Sequence, residues 1–309
     1  MDRFMDALEQ GNLETLRKYP KADLHNHFAL GGSRRFLYQA TGKKIEPLVH
    51  PLASMAEMDQ WSQKYIGQYF NSTEGRKLLI RATFQQAKED GVTVLEIGED
   101  VWGLKEFFHN DIDELVESFT SAQREIAPEI ELRLQIGLSR HCPISYLEDC
   151  LSYFWGNKNF YSIDLYGDEF AQPIENFKGI YRRAKKEGLR LKAHVGEWGT
   201  AKDIRTAVEE LELDEVQHGI AAAGDESVIR FLAENKIRLN ITPTSNVLLA
   251  EHPIGKLYRS DIDVTINSDD VLIFDSDVSK EYLQLYEAQC LTAEELENIR
   301  KNGLKPAML

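Results

Sequence analysis

Eight short β-rich runs, each followed by a longer stretch with helical spacing, constrain this chain more than anything else in its sequence. The runs are KADLHNH, VTVLEIGED, ELRLQIGLSRH, FYSIDLYGDE, RLKAHVGE, VQHGI, IRLNITPTSN and DVTINSDD. Between them, PIENFKGIYRRAKKEG places Ile174, Phe177, Ile180, Tyr181 and Ala184 on one stripe before Gly188. Apolar residues recurring at three and four positions mark a helix, and a glycine just beyond marks its end. Eight strands alternating with helices predict a (β/α)8 barrel. A doubly wound open sheet shares the alternation, but FALGGS after the first run lacks the G-x-G-x-x-G spacing of a phosphate loop. One domain is expected over residues 1–309, with additional helices between strands one and two. That insertion, from about Ile45 to Thr73, carries Trp61, Tyr65, Tyr69 and Phe70 and reads either as helices packed on the barrel or as a lid over its mouth.

In a barrel of this kind chemistry sits at the C-terminal ends of the strands. The first run ends in His25 and His27, the fifth in His194 and Glu197, the sixth in His218 and the eighth in Asp269 and Asp270. On a strand, side chains two apart share a face, so His25 and His27 look the same way. Singly, each has a plain reading: a core histidine, or an aspartate capping the helix that starts VLIF. Together on one rim, His25, His27, His194 and Asp269 form a nitrogen and oxygen donor set for one divalent ion. Zinc suits the set, and iron or manganese accept the same donors. Such an ion lowers the pKa of bound water toward about 7. Glu197 is placed to donate or accept a proton beside that water. His218 is placed to orient the nucleophile, and Asp270, pointing away from Asp269 along the strand, to hold substrate. The pattern reads as metal-assisted hydrolysis at an sp² carbon.

Composition narrows the partners. Asp plus Glu is 51 against 36 for Lys plus Arg, a formal charge of −15, and no basic run stands out. That field repels phosphate backbones, so nucleic-acid binding is not expected. The odd set Cys142, Cys150 and Cys290 has no C-x-x-C spacing and reads as reduced thiols. The N-terminal MDRFMDALEQGNLETLRKYPK lacks the apolar centre of a signal peptide. No apolar run reaches the ~20 residues of a membrane span. A cytoplasmic location is expected, with no membrane partner; the sequence is silent on oligomeric state.

HNH, HVGE, HG and SDD, in that order on those strands, resemble the adenosine deaminase family of the amidohydrolase superfamily. IDLYGDE (Ile163 to Glu169) looks like the family's strand-four motif and TPTSN (Thr242 to Asn246) like its strand-seven motif; the similarity runs from Pro20 to Leu309. The resemblance implies one Zn2+ per chain on His25, His27, His194 and Asp269, and a small-molecule purine as substrate. Glu197 would protonate the ring nitrogen beside the attacked carbon, His218 would position the attacking hydroxide, and Asp270 would hydrogen-bond the five-membered ring. The Gly167 N–H would contact the remaining ring nitrogen. Hydrolysis at C6 of an adenine-type purine would release ammonia.

Three departures from the family pattern are visible. Ala29 stands where nucleoside-specific members carry an aspartate for the ribose 5′-hydroxyl, which brings free adenine and 5′-modified adenosine into view beside adenosine. Tyr166 replaces a small residue, narrowing the pocket or packing on the barrel rim. TSNVLLAEHPIG is shorter than the family's usual connection. Arg34 and Arg35 would bind a 5′-phosphate if they faced the pocket; otherwise they open the next helix in solvent. The alternatives are a deaminase of another amino-heterocycle on the same scaffold and a purine-binding barrel without activity.

Overall fold

Every run contains a strand, and the residues that carry the chemistry lie near or just beyond the strand ends. The computed structural model describes residues 3–50, 52, 54–67, 69–246 and 252–305. The strands are β1 Lys21–Asp23, β2 Val92–Ile97, β3 Glu131–Ser139, β4 Phe160–Tyr166, β5 Arg190–Val195, β6 Glu215–His218, β7 Arg238–Ile241 and β8 Val264–Ile266. They pair in parallel and in chain order from β1 to β8, with helices such as Thr73–Glu89, Ile112–Ile126 and Ala201–Leu211 between them. This is the expected (β/α)8 barrel. The first strand is shorter than KADLHNH implies: β1 ends at Asp23, so His25 and His27 lie beyond it.

β8 and β1 meet without a ladder. An isolated bridge joins Asn26 to Asp269, and the Asp269 N–H donates to the His25 carbonyl at 2.9 Å. Side chains close the remainder: the Leu24 N–H donates to Asn267 Oδ1 at 2.8 Å, and Ser268 donates to Asp23 through both its N–H (3.1 Å) and its hydroxyl (2.6 Å). Buried amide and carboxylate groups thus take the place of the missing ladder bonds.

The barrel interior is polar at mid-height. Lys192, wholly buried, lies 2.7 Å from Glu96 Oε1 and 3.1 Å from Glu215 Oε2. Asn240 Nδ2 donates to Glu215 Oε2 and to Gln217 Oε1, each at 2.8 Å, while Asn240 Oδ1 accepts from the Thr265 hydroxyl at 2.7 Å. Burial opposes the charge on Lys192, but Glu215 and Glu96 outweigh it and raise its pKa. Burial likewise opposes the Glu215 charge, yet Lys192 and Arg238 bring its carboxyl down to about 2.

The insertion after β1 forms the helix Met55–Ser62 and a π-helical turn Gln63–Gly67. Trp61, Ile66 and Phe70 are buried in the main apolar core, and the Trp61 indole donates to the Glu46 carbonyl at 2.9 Å. The opposite side of the helix lines the barrel mouth, so the segment is both packing element and cavity wall. No described helix is long and apolar enough to cross a membrane, and Cys142, Cys150 and Cys290 form no disulfide.

Candidate active site

The strand ends bring His25, His27, His194, His218 and Asp269 to one point. Donor atoms of His25, His194 and His218 lie within 4.8 Å of one another, as do those of His25, His27 and Asp269. Hydrogen bonds to the far ring nitrogens set the tautomers. His25 Nδ1 donates to the Asn240 carbonyl at 3.0 Å, which leaves a lone pair on Nε2. That Nε2 is buried and has no partner. His194 Nδ1 donates to Asp164 Oδ1 at 3.2 Å, so its Nε2 also presents a lone pair, 3.2 Å from His27 Nε2. His27 Nε2 lies 3.4 Å from Asp269 Oδ1. Converging lone pairs and a carboxylate are what a divalent cation relieves.

His218 differs. Asn246 Nδ2 donates to its Nδ1 at 2.8 Å, which puts the proton on Nε2, 3.4 Å from Glu197 Oε2. It therefore presents a donor to the cavity and lies among the ligand-type nitrogens without being one of them. Burial, with the imidazoles of His194 and His27 against the pull of Asp269, lowers His25 to about 3. Burial also holds His194 and His218 well below 6.5. All three rings are neutral at pH 7.

The carboxyl groups divide. Burial opposes the Asp269 charge, but His25, His218 and His27 outweigh it and hold this carboxyl below the usual range. Burial, then the charges of Asp269 and Glu169, push Glu197 well above its ordinary value. Burial, Asp269 and Glu197 do the same to Asp270. Glu197 and Asp270 are thus displaced toward the acid form and Asp269 toward the carboxylate. Asp270 does not cap the following helix: no cap hydrogen bond forms, and its Oδ1 is buried without a partner. Nor does it point away from Asp269. The residues lie past the end of β8, and Asp269 has a φ of +59°, so strand alternation no longer applies and both line the cavity.

Backbone strain collects here. His218 (φ +64°) and Asp269 (φ +59°) occupy the left-handed region, which costs on the order of 1–3 kcal/mol for a residue with a side chain. Gly167 (φ +94°) ends β4. Gly196 (φ +76°) turns the chain so that Glu197 faces the mouth, and a Cβ there would sit 2.4 Å from Ile204. Sequence reasoning missed the residue that fixes this turn. Glu169 accepts from the N–H groups of Gly196 (2.8 Å), Glu197 (2.9 Å) and Trp198 (2.9 Å). It also missed Asp164, whose second oxygen accepts from Gln217 at 3.2 Å. The signal for Asp164 was a lone carboxylate inside the apolar run SIDLY.

Above the cluster lies a cavity of about 670 Å³, lined by Gly167, Glu197, Asp270, Tyr166 and the insertion helix among others. Tyr166 both narrows it and packs, its ring 5.2 Å from that of His27 and 5.8 Å from that of His194. Arg34 and Arg35 do not reach it. Arg34 pairs with Asp275 and donates to the carbonyls of Val271 (2.8 Å) and Leu272 (2.5 Å), and Arg35 pairs with Glu89. The short connection after Asn246 lies outside the described residues.

The adenosine deaminase family model matches residues 20–309. The chain belongs to the adenosine deaminase family. Among curated members, a Treponema pallidum protein named as an adenosine/adenine deaminase is 33% identical over 91% of this chain and 96% of its own length. An adenine deaminase of Rhodopseudomonas palustris is 28% identical over 95% and 91%. Among solved structures, the adenine deaminase of Arthrobacter aurescens superposes with a TM-score of 0.74 at 22% identity, covering 92% of each chain. An amidohydrolase of Burkholderia ambifaria, solved with bound zinc, gives 0.80 at 20% identity over 94% and 86%. Family membership makes the chain a hydrolytic deaminase.

Proposed function

We propose that this deaminase uses one zinc ion, held by His25, His27, His194 and Asp269, to remove the 6-amino group of an adenine-type purine. The observation that carries the reading is the convergence of an unpartnered, lone-pair-bearing His25 Nε2 with His27, His194 and Asp269, the last three lining the same cavity as Glu197. The donor chemistry fits zinc; when bound, the ion supplies hydroxide at neutral pH by acidifying water.

The chain's own groups do the rest. Glu197, in its acid form, gives its proton to the ring nitrogen next to C6 and makes that carbon electrophilic. The His218 Nε2–H hydrogen-bonds the attacking oxygen. Protonated Asp270 donates to the five-membered ring, and the Gly167 N–H fixes the ring's other edge. The C6–N bond breaks, a C6–O bond forms, and water and aminopurine become oxopurine and ammonia. The names of the relatives support a purine, as does an Arabidopsis structural neighbour solved with IMP.

The test is ammonia release by the zinc-loaded protein on adenine-type purines, with metal content measured alongside. Glu197→Gln is expected to keep its metal and lose about 100- to 10,000-fold in kcat; normal turnover in that variant would remove the assigned role. His194→Ala is expected to lose metal and activity together, and a fully metallated, active variant would sink the site.

A further inference from the structure

We propose that the part of the cavity not occupied by the base is a subsite for a neutral, apolar 5′ substituent. The preferred substrates are then 5′-deoxy- and 5′-alkylthioadenosines, above free adenine and above nucleotides. This inference rests on the purine reading given above.

The first support is charge. No lysine or arginine lines the cavity among the described residues, and residues 51, 53, 68 and 247–251 include none either. The nearby Arg34 is committed to Asp275 and two carbonyls. A phosphate needs charge-assisted donors. Here it would meet the carboxylates of Asp59 and Asp168, both in the lining, on a chain of net charge −15.

The second support is size and surface. With the base held between Glu197, Asp270 and Gly167, the remaining wall includes Ala29, Leu30, Leu52, Met55, Met58 and Phe274. The whole cavity, about 670 Å³, lies within the roughly 300–1,000 Å³ range that accommodates drug-sized ligands, so a single base leaves most of it unfilled. Asp59 and Ser62 in the same wall offer hydrogen-bond partners to sugar hydroxyls. Ala29 offers no side-chain partner to a 5′-hydroxyl, whereas the flexible, polarisable Met55 and Met58 adapt to alkyl and thioether groups. A thioether in place of the hydroxyl buries apolar surface without stranding a polar group.

The experiment compares kcat/KM for adenine, adenosine, 5′-deoxyadenosine, 5′-methylthioadenosine and AMP on the zinc-loaded full-length protein. The methylthio nucleoside is expected to exceed adenosine by about 10-fold or more, and AMP to fall at least ~100-fold below adenosine. Met58→Gln and Met55→Gln should each shrink the methylthio-to-adenosine ratio. Adenine as the best substrate, AMP within about 10-fold of adenosine, or a ratio untouched by both substitutions would overturn the subsite and leave the deaminase reading standing. Ammonia from none of the five would overturn the purine reading, and this inference with it.

Discussion

Two buried polar clusters sit one above the other in this barrel, and they are built on opposite plans. Lys192 and His194 are two residues apart on β5 and so face the same interior at successive heights. Around Lys192, the side-chain polar atoms of Glu96, Glu215, Gln217, Asn240 and Thr265 all have partners. Around His194, His25 Nε2 and Asp270 Oδ1 have none, and two residues hold left-handed backbone. A satisfied buried network specifies structure, while an unsatisfied one is destabilising until something fills it. The lower cluster is built as scaffold and the upper one as the candidate site, although both use the same residue chemistry.

Separating stability from activity would test that contrast. Lys192→Met takes from Glu96 the cation 2.7 Å away and from Glu215 one of its cations, Arg190 remaining at 3.2 Å, and is expected to lower unfolding free energy by about 3–5 kcal/mol in denaturant titrations. Asp270→Asn in the metal-free protein should lose none. Equal losses would mean that the clusters are energetically alike. Next in size is the turn that aims Glu197. Glu169→Gln exchanges an acceptor-only group for one that cannot receive all three N–H groups, and kcat should fall about 10- to 100-fold with zinc content and KM nearly unchanged. A drop in KM-type binding with kcat preserved would place Glu169 on the substrate instead.

The smallest effect is pH-dependent stability. Burial lifts Asp100 and Glu281 to about 7 each. Their folded values exceed their unfolded ones, so the stability they contribute is complete below about pH 4 and is lost as pH rises through 7. Asp100→Asn should flatten the decline between pH 4 and 8, by on the order of 1–3 kcal/mol. An unchanged slope would show that Asp100 ionises freely in the native state.

The barrel and the rim residues were legible because alternation and strand ends are local patterns. The run RLKAHVGE displays its histidine and glutamate within a few positions of each other. What lay hidden was pairing between strands. Lys192, Glu96 and Glu215 look like three misplaced charges until the sheet brings β2, β5 and β6 around one axis. Glu169 was quoted within the strand-four motif, yet its work is on the backbone of the next loop, a contact no periodicity records. Alternation misled at Asp270 because the strand had already ended. The fate of Arg34 was open for the same reason: its acceptor, Asp275, is far along the chain.

The seam between β1 and β8 has a consequence for how the molecule matures. His25 and His27 precede Asp269 by more than 240 residues, yet they stand across the β1–β8 junction, where the described residues form an isolated bridge and no ladder. Synthesis must therefore run from one side of that junction to the other before His25, His27 and Asp269 can meet. Capture of the proposed ion would then report that the ring has closed, and the residues that would hold it would fasten the ends of that long loop, where closing entropy is large.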